Sequence, residues 1–495
     1  MTAYDQLQAR FHRIGVIDGA LSMLGWDEAV MMPDGGSETR AEQVATLRQI
    51  QHEMLTDPAV ADLIGAAGGL DLDPWQAANR HEMERRRRHA TALPADLVGA
   101  LARATARCEM VWRTARKNDD FATFKAPFAT VLELSREAQA AKGAAFGVDG
   151  YDALLDQYEP GMTAERLDGL FGELAQFLPD LLDRAMALQD ERPAPLPPSG
   201  HFPIEAQRDL SVRLMRALGF DFDHGRLDVS HHPFTGGIPD DVRLTTRYRE
   251  DEFAQAMMAT LHETGHALYE RGLPAAWRHQ PVGEARGMAL HESQSLLVEM
   301  QLARGPAFIG FVTPLVREAF KVEGGPFTAD NLGRWLTRVS PGLIRVEADE
   351  VCYPAHVMLR YRLEQALLSG DLPIDDLPAA WADGMMTLLG VEVPDDRDGC
   401  LQDIHWPGGA FGYFPTYTLG AMAAAQLFQA ARTAIPDLDD RVGRGDFAPL
   451  FAWLGTNVHG RAASATTDEI LTQATGAPLS ADAFRRHLEA RYAGG

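Results

Sequence analysis

The segment MATLHETGHALYERG, residues 258–272, contains His262-Glu263-Thr264-Gly265-His266, two histidines four apart with a glutamate beside the first. In an α-helix, residues four apart are offset by about 40° around the axis and rise about 6 Å. Both imidazoles then project from one face and can chelate a single ion. Glu263 lies about 100° round from His262, near the ion but aimed at a water instead of joining as a ligand. That is the arrangement for metal-assisted hydrolysis, with the carboxylate taking the water's proton and passing it to the leaving amine. The competing reading is a surface helix that carries two histidines by accident. Against it, Ala267 and Leu268 continue an apolar face, so the histidines sit in a packed segment. Gly265 costs about 1 kcal/mol relative to alanine inside a helix, which implies close approach by another element.

A catalytic zinc needs a third protein ligand and an open position. The segment GMALHESQSLLVEMQLARG (287–305) reads as the next helix and supplies Glu292, with His266 and Glu292 separated by a loop, 271–287, that contains glycine and proline. Two helices joined this way can run side by side. His291 points about 100° away from Glu292, and Glu299, two turns later, is a competing carboxylate. Two histidines and a glutamate are the set used by one branch of zinc peptidases. Many of those place an acid four residues after the glutamate to support a ligand histidine. Here that slot is Leu296, so the support must be arranged differently, with Ser295 or Gln294 as candidates.

The elements that must position these residues are mostly helical. Apolar residues recur at three- and four-residue spacing over 38–54, 94–116, 128–144, 163–188, 204–218 and 251–270. Thr163 is placed to cap one of these helices, and Asp221 and Asp223 mark the turn after another. The stretch ERPAPLPPSGHFP (191–203) cannot be helix and reads as a stiff connector between a helical front, 1–190, and a back region, 204–495, that holds the chemistry. The whole chain, 1–495, is read as one domain. Strand signals are confined to 226–230 and 240–249, with TGGIPD between them as turn chemistry, which predicts a small hairpin before the histidine helix. Met257, Met258, Met288 and Met300 read as core packing.

Composition narrows the partners. Asp and Glu outnumber Lys and Arg by 70 to 46, for a net charge of -24, a surface that repels phosphate backbones and anionic lipid. The run Arg85 to Arg88 is flanked by Glu82 and Glu84 and reads as a solvated helix face. Neither nucleic acid nor membrane is expected as a partner. Cys108, Cys352 and Cys400 form no disulfide framework, which suits a reducing cytoplasm. The N-terminus lacks the apolar core of a signal peptide, and the most apolar stretches, such as 419–428, fall far short of the roughly 20 residues of a membrane span.

HETGH and HESQS occur together with His232-Pro233-Phe234, with Asp241-Val242-Arg243-Leu244-Thr245 (DxRxT), with Ile344-Arg345-Val346-Glu347-Ala348 (IRxxA), and with the run 399–406 GCLQDIHW (GxxQDxHW). With the front segment 24–47, this set resembles the M32 carboxypeptidases, of the thermostable or carboxypeptidase Taq type, over essentially the whole chain. The resemblance implies a mainly α fold similar to neurolysin, of the gluzincin group, saddle-like with a deep groove and a small β-sheet near the active site. It implies removal of single C-terminal residues from peptides, broad in specificity but excluding proline. It further implies one zinc per subunit, replaceable by cobalt, and a homodimer. His262, His266 and Glu292 are then the metal ligands and Glu263 the general base.

An exopeptidase must recognise a terminal carboxylate, and a guanidinium fork does so with two hydrogen bonds. Arg345 is the favoured candidate, against an ion pair with Glu347 or Asp349. Arg243, on an expected strand, is the second. His405 and Tyr417 are candidates for stabilising the oxyanion, with Tyr413 as rival and a core histidine bonded to Asp403 as the alternative for His405. The segment 411–420 reads as a loop able to move as a lid. His232 either shapes the pocket or forms a turn. An endo-oligopeptidase on the same scaffold differs in lacking the carboxylate anchor. A silent helical binding protein is disfavoured, because it has no need of Glu263.

Overall fold

The computed structural model describes residues 1–494, of which 69% are helical. The expected helices are present: Ile204–Leu218 with the ends expected, and Ser37–Thr56, Ala95–Asn118, Phe121–Phe146, Ala164–Asp190 and Ala254–Gly272 with shifted ends. Local chemistry starts and stops them. The Thr163 hydroxyl accepts from the Arg166 N–H at the head of one, satisfying a donor that the first helical turn leaves without a partner. Gly219, at φ +96°, ends Ile204–Leu218 in the left-handed conformation that glycine adopts freely. The prolines after Asp190 keep the chain out of helix until Ile204.

Two compact units are built from discontinuous segments. One takes Met1–Ala90, Pro195–Leu336 and Ala423–Leu479; the other takes Thr91–Ala194, Thr337–Met422 and the chain from Ser480 onward. One of the passages between units falls inside the proline-rich segment.

The first unit holds the sheet. Strands β1 (Gly225–Val229), β2 (Thr235–Ile238) and β3 (Asp241–Thr246) lie in the order β1-β3-β2. β1 runs parallel to β3, with Leu227 beside Leu244, and β2 is antiparallel to β3, with Gly236 beside Arg243. The expected hairpin between 226–230 and 240–249 is therefore corrected. Most of TGGIPD is a strand, and the tight turn is only Pro239-Asp240. The reason is Gly237: its φ is +90°, and an added Cβ would lie 2.2 Å from the Asp241 carbonyl oxygen. A glycine-rich run that reads as a turn can thus form a closely approached edge strand. Val242 and Leu244 point to a core shared with Met215, Phe220, Leu227 and Ala267. Ala267 fixes the back of the helix Ala254–Gly272 on the sheet.

A separate core in the same unit packs Tyr4, Leu7, Phe11 and Ile14 against Val60 and Ile64. Met257 and Met258 are buried as expected of core residues, while Met288 and Met300 are half-buried. In the second unit, the helix Tyr353–Ser369 carries Glu364, a buried carboxylate that accepts from Tyr151 Oη (2.5 Å), Trp406 Nε1 (3.0 Å) and Gly412 N (3.1 Å). Burial pushes its acid up to about 7, with these three donors pulling the other way. No helix among the described residues is long and apolar enough to cross a membrane.

Candidate metal centre and arginine cluster

The helix Ala254–Gly272 begins three residues later than its acidic lead-in suggests. Glu252 stays outside and accepts from the N–H groups of Ala254 (2.6 Å) and Gln255 (3.0 Å), closing the helix start. One turn of helix separates His262 from His266, and their Nε2 atoms lie 3.8 and 3.2 Å from Glu292 Oε2. One donor atom from each of the three residues falls within 4.8 Å of the others, the one such group among the described residues. Gly265 explains how Glu292 gets there. A Cβ at that position would lie 2.4 Å from the Gln294 carbonyl oxygen and 2.7 Å from Ser295 Cα. The backbone of the helix Met288–Leu296 crosses directly over the glycine, as the cost of a mid-helix glycine leads one to expect.

The nitrogens facing away from the cluster are also held. His262 Nδ1 is 2.9 Å from Glu299 Oε2, whose other oxygen accepts from Arg304 Nη2 at 3.0 Å. Glu299 therefore orients a histidine and does not compete with Glu292. It sits where the hydrogen bonding widens to an i to i+5 pattern over Leu297–Ala303, a local form frequent at functional sites. His266 Nδ1 is 2.7 Å from His291 Nδ1, and His291 Nε2 is 2.8 Å from Glu270 Oε1. Ser295 Oγ lies 3.2 Å from Glu292 Oε2, so it steadies the glutamate instead of a histidine. Gln294 turns to His459, Oε1 to Nε2 at 2.9 Å. Glu299 and Glu270 leave signals in the sequence. Seven residues bring Glu299 round to within about 20° of Glu292 on a helix, and Glu270 is the next member of the 262, 266 stripe.

Glu263 is 6% exposed. Its Oε2 lies 2.7 Å from the Thr235 hydroxyl at the start of β2, and its backbone oxygen 3.0 Å from the same hydroxyl. Reading TGGIPD as a turn hides Thr235. The field of the cluster is negative. Burial disfavours a charged His262, yet Glu292, the bond to Glu299 and the nearby Glu263 raise it to about 10. Burial pushes Glu292 up, but His262 and His266 bring it down to about 2. Carboxylates that hold a proton on an imidazole so firmly will hold a dication better. Two imidazoles and a carboxylate, with both far nitrogens held, are a donor set that fits a divalent metal.

Other expected residues of this unit go elsewhere. Arg243 forms a two-pronged pair with Asp241, 3.0 and 2.6 Å, and stacks over Trp26 at 4.6 Å, so the Asp and Arg of DxRxT bind each other. His232 is exposed on the β1–β2 loop, its carbonyl accepting from Ser230 Oγ.

The second unit gathers the remaining candidates around Asp403. Arg345 donates from Nε (3.2 Å) and Nη2 (2.8 Å) to Asp403 Oδ1, and Arg360 donates from Nε to Oδ2 at 2.6 Å. The expected partners Glu347 and Asp349 are not used: Asp349 accepts from the backbone of Ser340, Val351 and Cys352. Arg345 is 5% exposed, lies 4.8 Å over the Tyr417 ring and donates from Nη1 to Tyr353 Oη at 3.2 Å. Three of its five N–H donors are engaged, leaving one on each terminal nitrogen. His405 Nε2 is 3.1 Å from Tyr417 Oη, while Nδ1 stays 3.9 Å from Asp403, too far for the expected hydrogen bond. Burial, joined by Arg345 and Arg360 and only partly offset by Asp403, brings His405 down to about 4. Tyr417 and not Tyr413 is the tyrosine bonded to His405; Tyr413 packs edge-on against Tyr158, 5.0 Å away. The expected loop 411–420 is shorter than its residues suggest. Pro415 opens the helix Pro415–Ala434, a position proline favours, so Tyr417 sits in a first helical turn.

The model of the carboxypeptidase Taq (M32) metallopeptidase family matches residues 6–492. Thermostable carboxypeptidase 1 of Thermus thermophilus is 40% identical, covering 96% of this chain and 95% of that protein. Carboxypeptidase 1 of Bacillus subtilis is 34% identical, covering 97% and 96%. Among solved structures, metallocarboxypeptidase 1 of Trypanosoma cruzi superposes with a TM-score of 0.97 at 41% identity, over 99% of each chain. The M32 carboxypeptidase of Deinococcus radiodurans gives 0.94 at 34%, also over 99% of each. With a donor set that suits a metal and a likeness running from end to end, the chain belongs to the carboxypeptidase Taq (M32) metallopeptidase family and is a metallocarboxypeptidase, a hydrolase of peptides.

Proposed function

We propose that the protein is a zinc-dependent carboxypeptidase that releases C-terminal residues one at a time, with Glu263 as general base. The observation that carries this reading is the closeness of His262 Nε2, His266 Nε2 and Glu292 Oε2, with Glu263 on the helix of the two histidines. A divalent ion bound there supplies Lewis acidity toward water and the scissile carbonyl. Zinc suits two imidazoles and a carboxylate, and cobalt accepts the same donors. Glu263 withdraws the proton of the attacking water and delivers it to the departing amine. The Thr235 hydroxyl steadies one carboxylate oxygen of Glu263, which leaves the other to exchange the proton. Glu299 and His291 hold the imidazoles from behind, which would orient the ligand nitrogens for a metal.

Arg345 receives the terminal carboxylate of the substrate. Its fork is pinned by Asp403 and Tyr353 and keeps one N–H on each terminal nitrogen, and two parallel bonds from a planar guanidinium match a carboxylate. Tyr417 supplies a donor to the oxyanion, and a neutral His405 supports it by giving its Nε2 proton to the Tyr417 hydroxyl oxygen. Arg243 and His232 contribute to the peptide-binding surface. The broad specificity, the exclusion of proline and the homodimer are what the family resemblance implies, and the cytoplasmic location rests on the three cysteines that form no disulfide framework.

The test is a time course on one N-acetylated peptide, read by mass, with and without chelator and with zinc restored. A ladder shortening one residue at a time from the C-terminus, lost with chelator and regained with zinc, is expected. Internal cuts alone would move the assignment to an endo-oligopeptidase. Proline as the last residue is expected to stop the ladder, and light scattering reads the dimer.

A further inference from the structure

Of the two histidines in the candidate metal centre, one is backed by a carboxylate and the other by an imidazole. His262 Nδ1 meets Glu299 at 2.9 Å, and a carboxylate can only accept, so His262 keeps a proton on Nδ1 and Nε2 is the nitrogen that offers a lone pair to a metal. His266 has no such partner. Its Nδ1 meets His291 Nδ1 at 2.7 Å, and a neutral imidazole nitrogen can donate or accept. Taken alone, that contact allows the His266 proton to sit on Nε2, where it would block a metal.

The direction is decided one residue further out. His291 Nε2 is 2.8 Å from Glu270 Oε1. The carboxylate accepts, so His291 carries its proton on Nε2 and offers a lone pair at Nδ1. His266 must then donate from Nδ1, which leaves its Nε2 lone pair facing Glu292 Oε2 at 3.2 Å. With both imidazoles neutral, only this order of donors satisfies all three side chains. We propose that Glu270 and His291 are positioning residues that set the tautomer of His266 and so make it a metal ligand. The pair rests on the reading of His266 as a ligand. Neither residue needs to touch metal or substrate to act.

Helix geometry makes the arrangement possible. Glu270 is four residues after His266 on the histidine helix, and His291 precedes Glu292 on the crossing one. The ring of His291 lies between them, 4.6 Å from the His266 ring and 5.4 Å from that of Tyr269. A glutamine at 270 keeps shape and reach but removes the direction, because an amide can donate to His291 Nε2 as well as accept from it.

The experiment measures zinc affinity of the full-length protein by competition with a calibrated chelator, for wild type, Glu270→Gln, His291→Phe and His266→Gln. The thermal midpoint of the metal-free forms is read alongside. Glu270→Gln is expected to weaken zinc about 10- to 100-fold with the metal-free midpoint unchanged, and His291→Phe to weaken it at least as much. The visible spectrum of the cobalt form of Glu270→Gln is expected to differ from wild type, a signature that a packing role would not alter. Zinc affinity of both Glu270→Gln and His291→Phe within twofold of wild type would overturn the proposal. If His266→Gln itself leaves zinc affinity unchanged, the assignment of the ligand is what fails.

Discussion

The two clusters of candidate residues are opposite in charge and in how the chain builds them. Around His262 and His266, the carboxylates of Glu263, Glu292 and Glu299 face Arg304, and the excess is negative. Around Asp403, one carboxylate is shared by Arg345 and Arg360, and the excess is positive. The first is a place for a cation and the second a place for an anion. Burial sharpens both, because the low dielectric that makes an uncompensated charge costly also strengthens its attraction for a counter-charge. A metallocarboxypeptidase requires one of each: a dication for the chemistry and an anion site for the end of the peptide.

The contrast breaks most clearly at Glu263. If the negative cluster is the seat of the chemistry, Glu263→Gln lowers kcat by about 10²- to 10⁴-fold while zinc content by atomic absorption stays at one per chain. Near-normal turnover would remove the general base from this mechanism. Arg345→Lys sharpens the positive side. The lysine keeps the charge but loses the fork, so kcat/KM on peptides with a free C-terminus is expected to fall by about 100-fold, most of it in KM. Amidated peptides should show little difference between variant and wild type, and an equal loss on both would mean that Arg345 serves only the fold.

The smallest effect concerns His405, whose acidity is about 4 in the folded chain against an ordinary value near 6.5. Between those values the unfolded chain binds a proton that the folded chain refuses, so stability rises with pH across the window from about 4 to 6.5. This group's share is on the order of 3 kcal/mol. Replacing His405 with Gln is expected to flatten that part of the denaturation-midpoint profile. An unchanged slope would show that His405 is charged in the fold, contrary to the positive field of Arg345 and Arg360.

How much of each cluster is legible in the sequence depends on how far apart its members lie along the chain. His262, Glu263 and His266 share one helix, and helical periodicity alone places them on adjoining faces. Gly265 announces the crossing that brings Glu292, because a glycine in mid-helix needs a reason. Glu299 is visible in the sequence but reads as a rival ligand, since spacing shows which face a side chain occupies and not which neighbour it meets there. Thr235 is lost to a turn reading of TGGIPD, because glycine serves turns and closely paired edge strands alike. The positive cluster is harder. Arg345, Arg360, Asp403, His405 and Tyr417 have no common periodicity, and the partners expected for Arg345 are the acids near it in sequence. Asp403 wins because it is buried with the guanidinium, while Asp349 is occupied by the backbone N–H groups of the turn it closes.

By itself, then, the sequence determined the helical class, the histidine helix with Glu263 beside its first histidine, and the likeness to a family of metallopeptidases. These depend on local periodicity and on residue types whose chemistry is the same in any surroundings. Only the tertiary structure decided the parallel placement of β1 beside β3, the partner of Arg345, the choice of Tyr417 over Tyr413 as the tyrosine bonded to His405, and the Glu270–His291 pair behind His266. Each of those depends on which groups lose their water together, and a buried donor or acceptor must take whatever partner the packing brings to it.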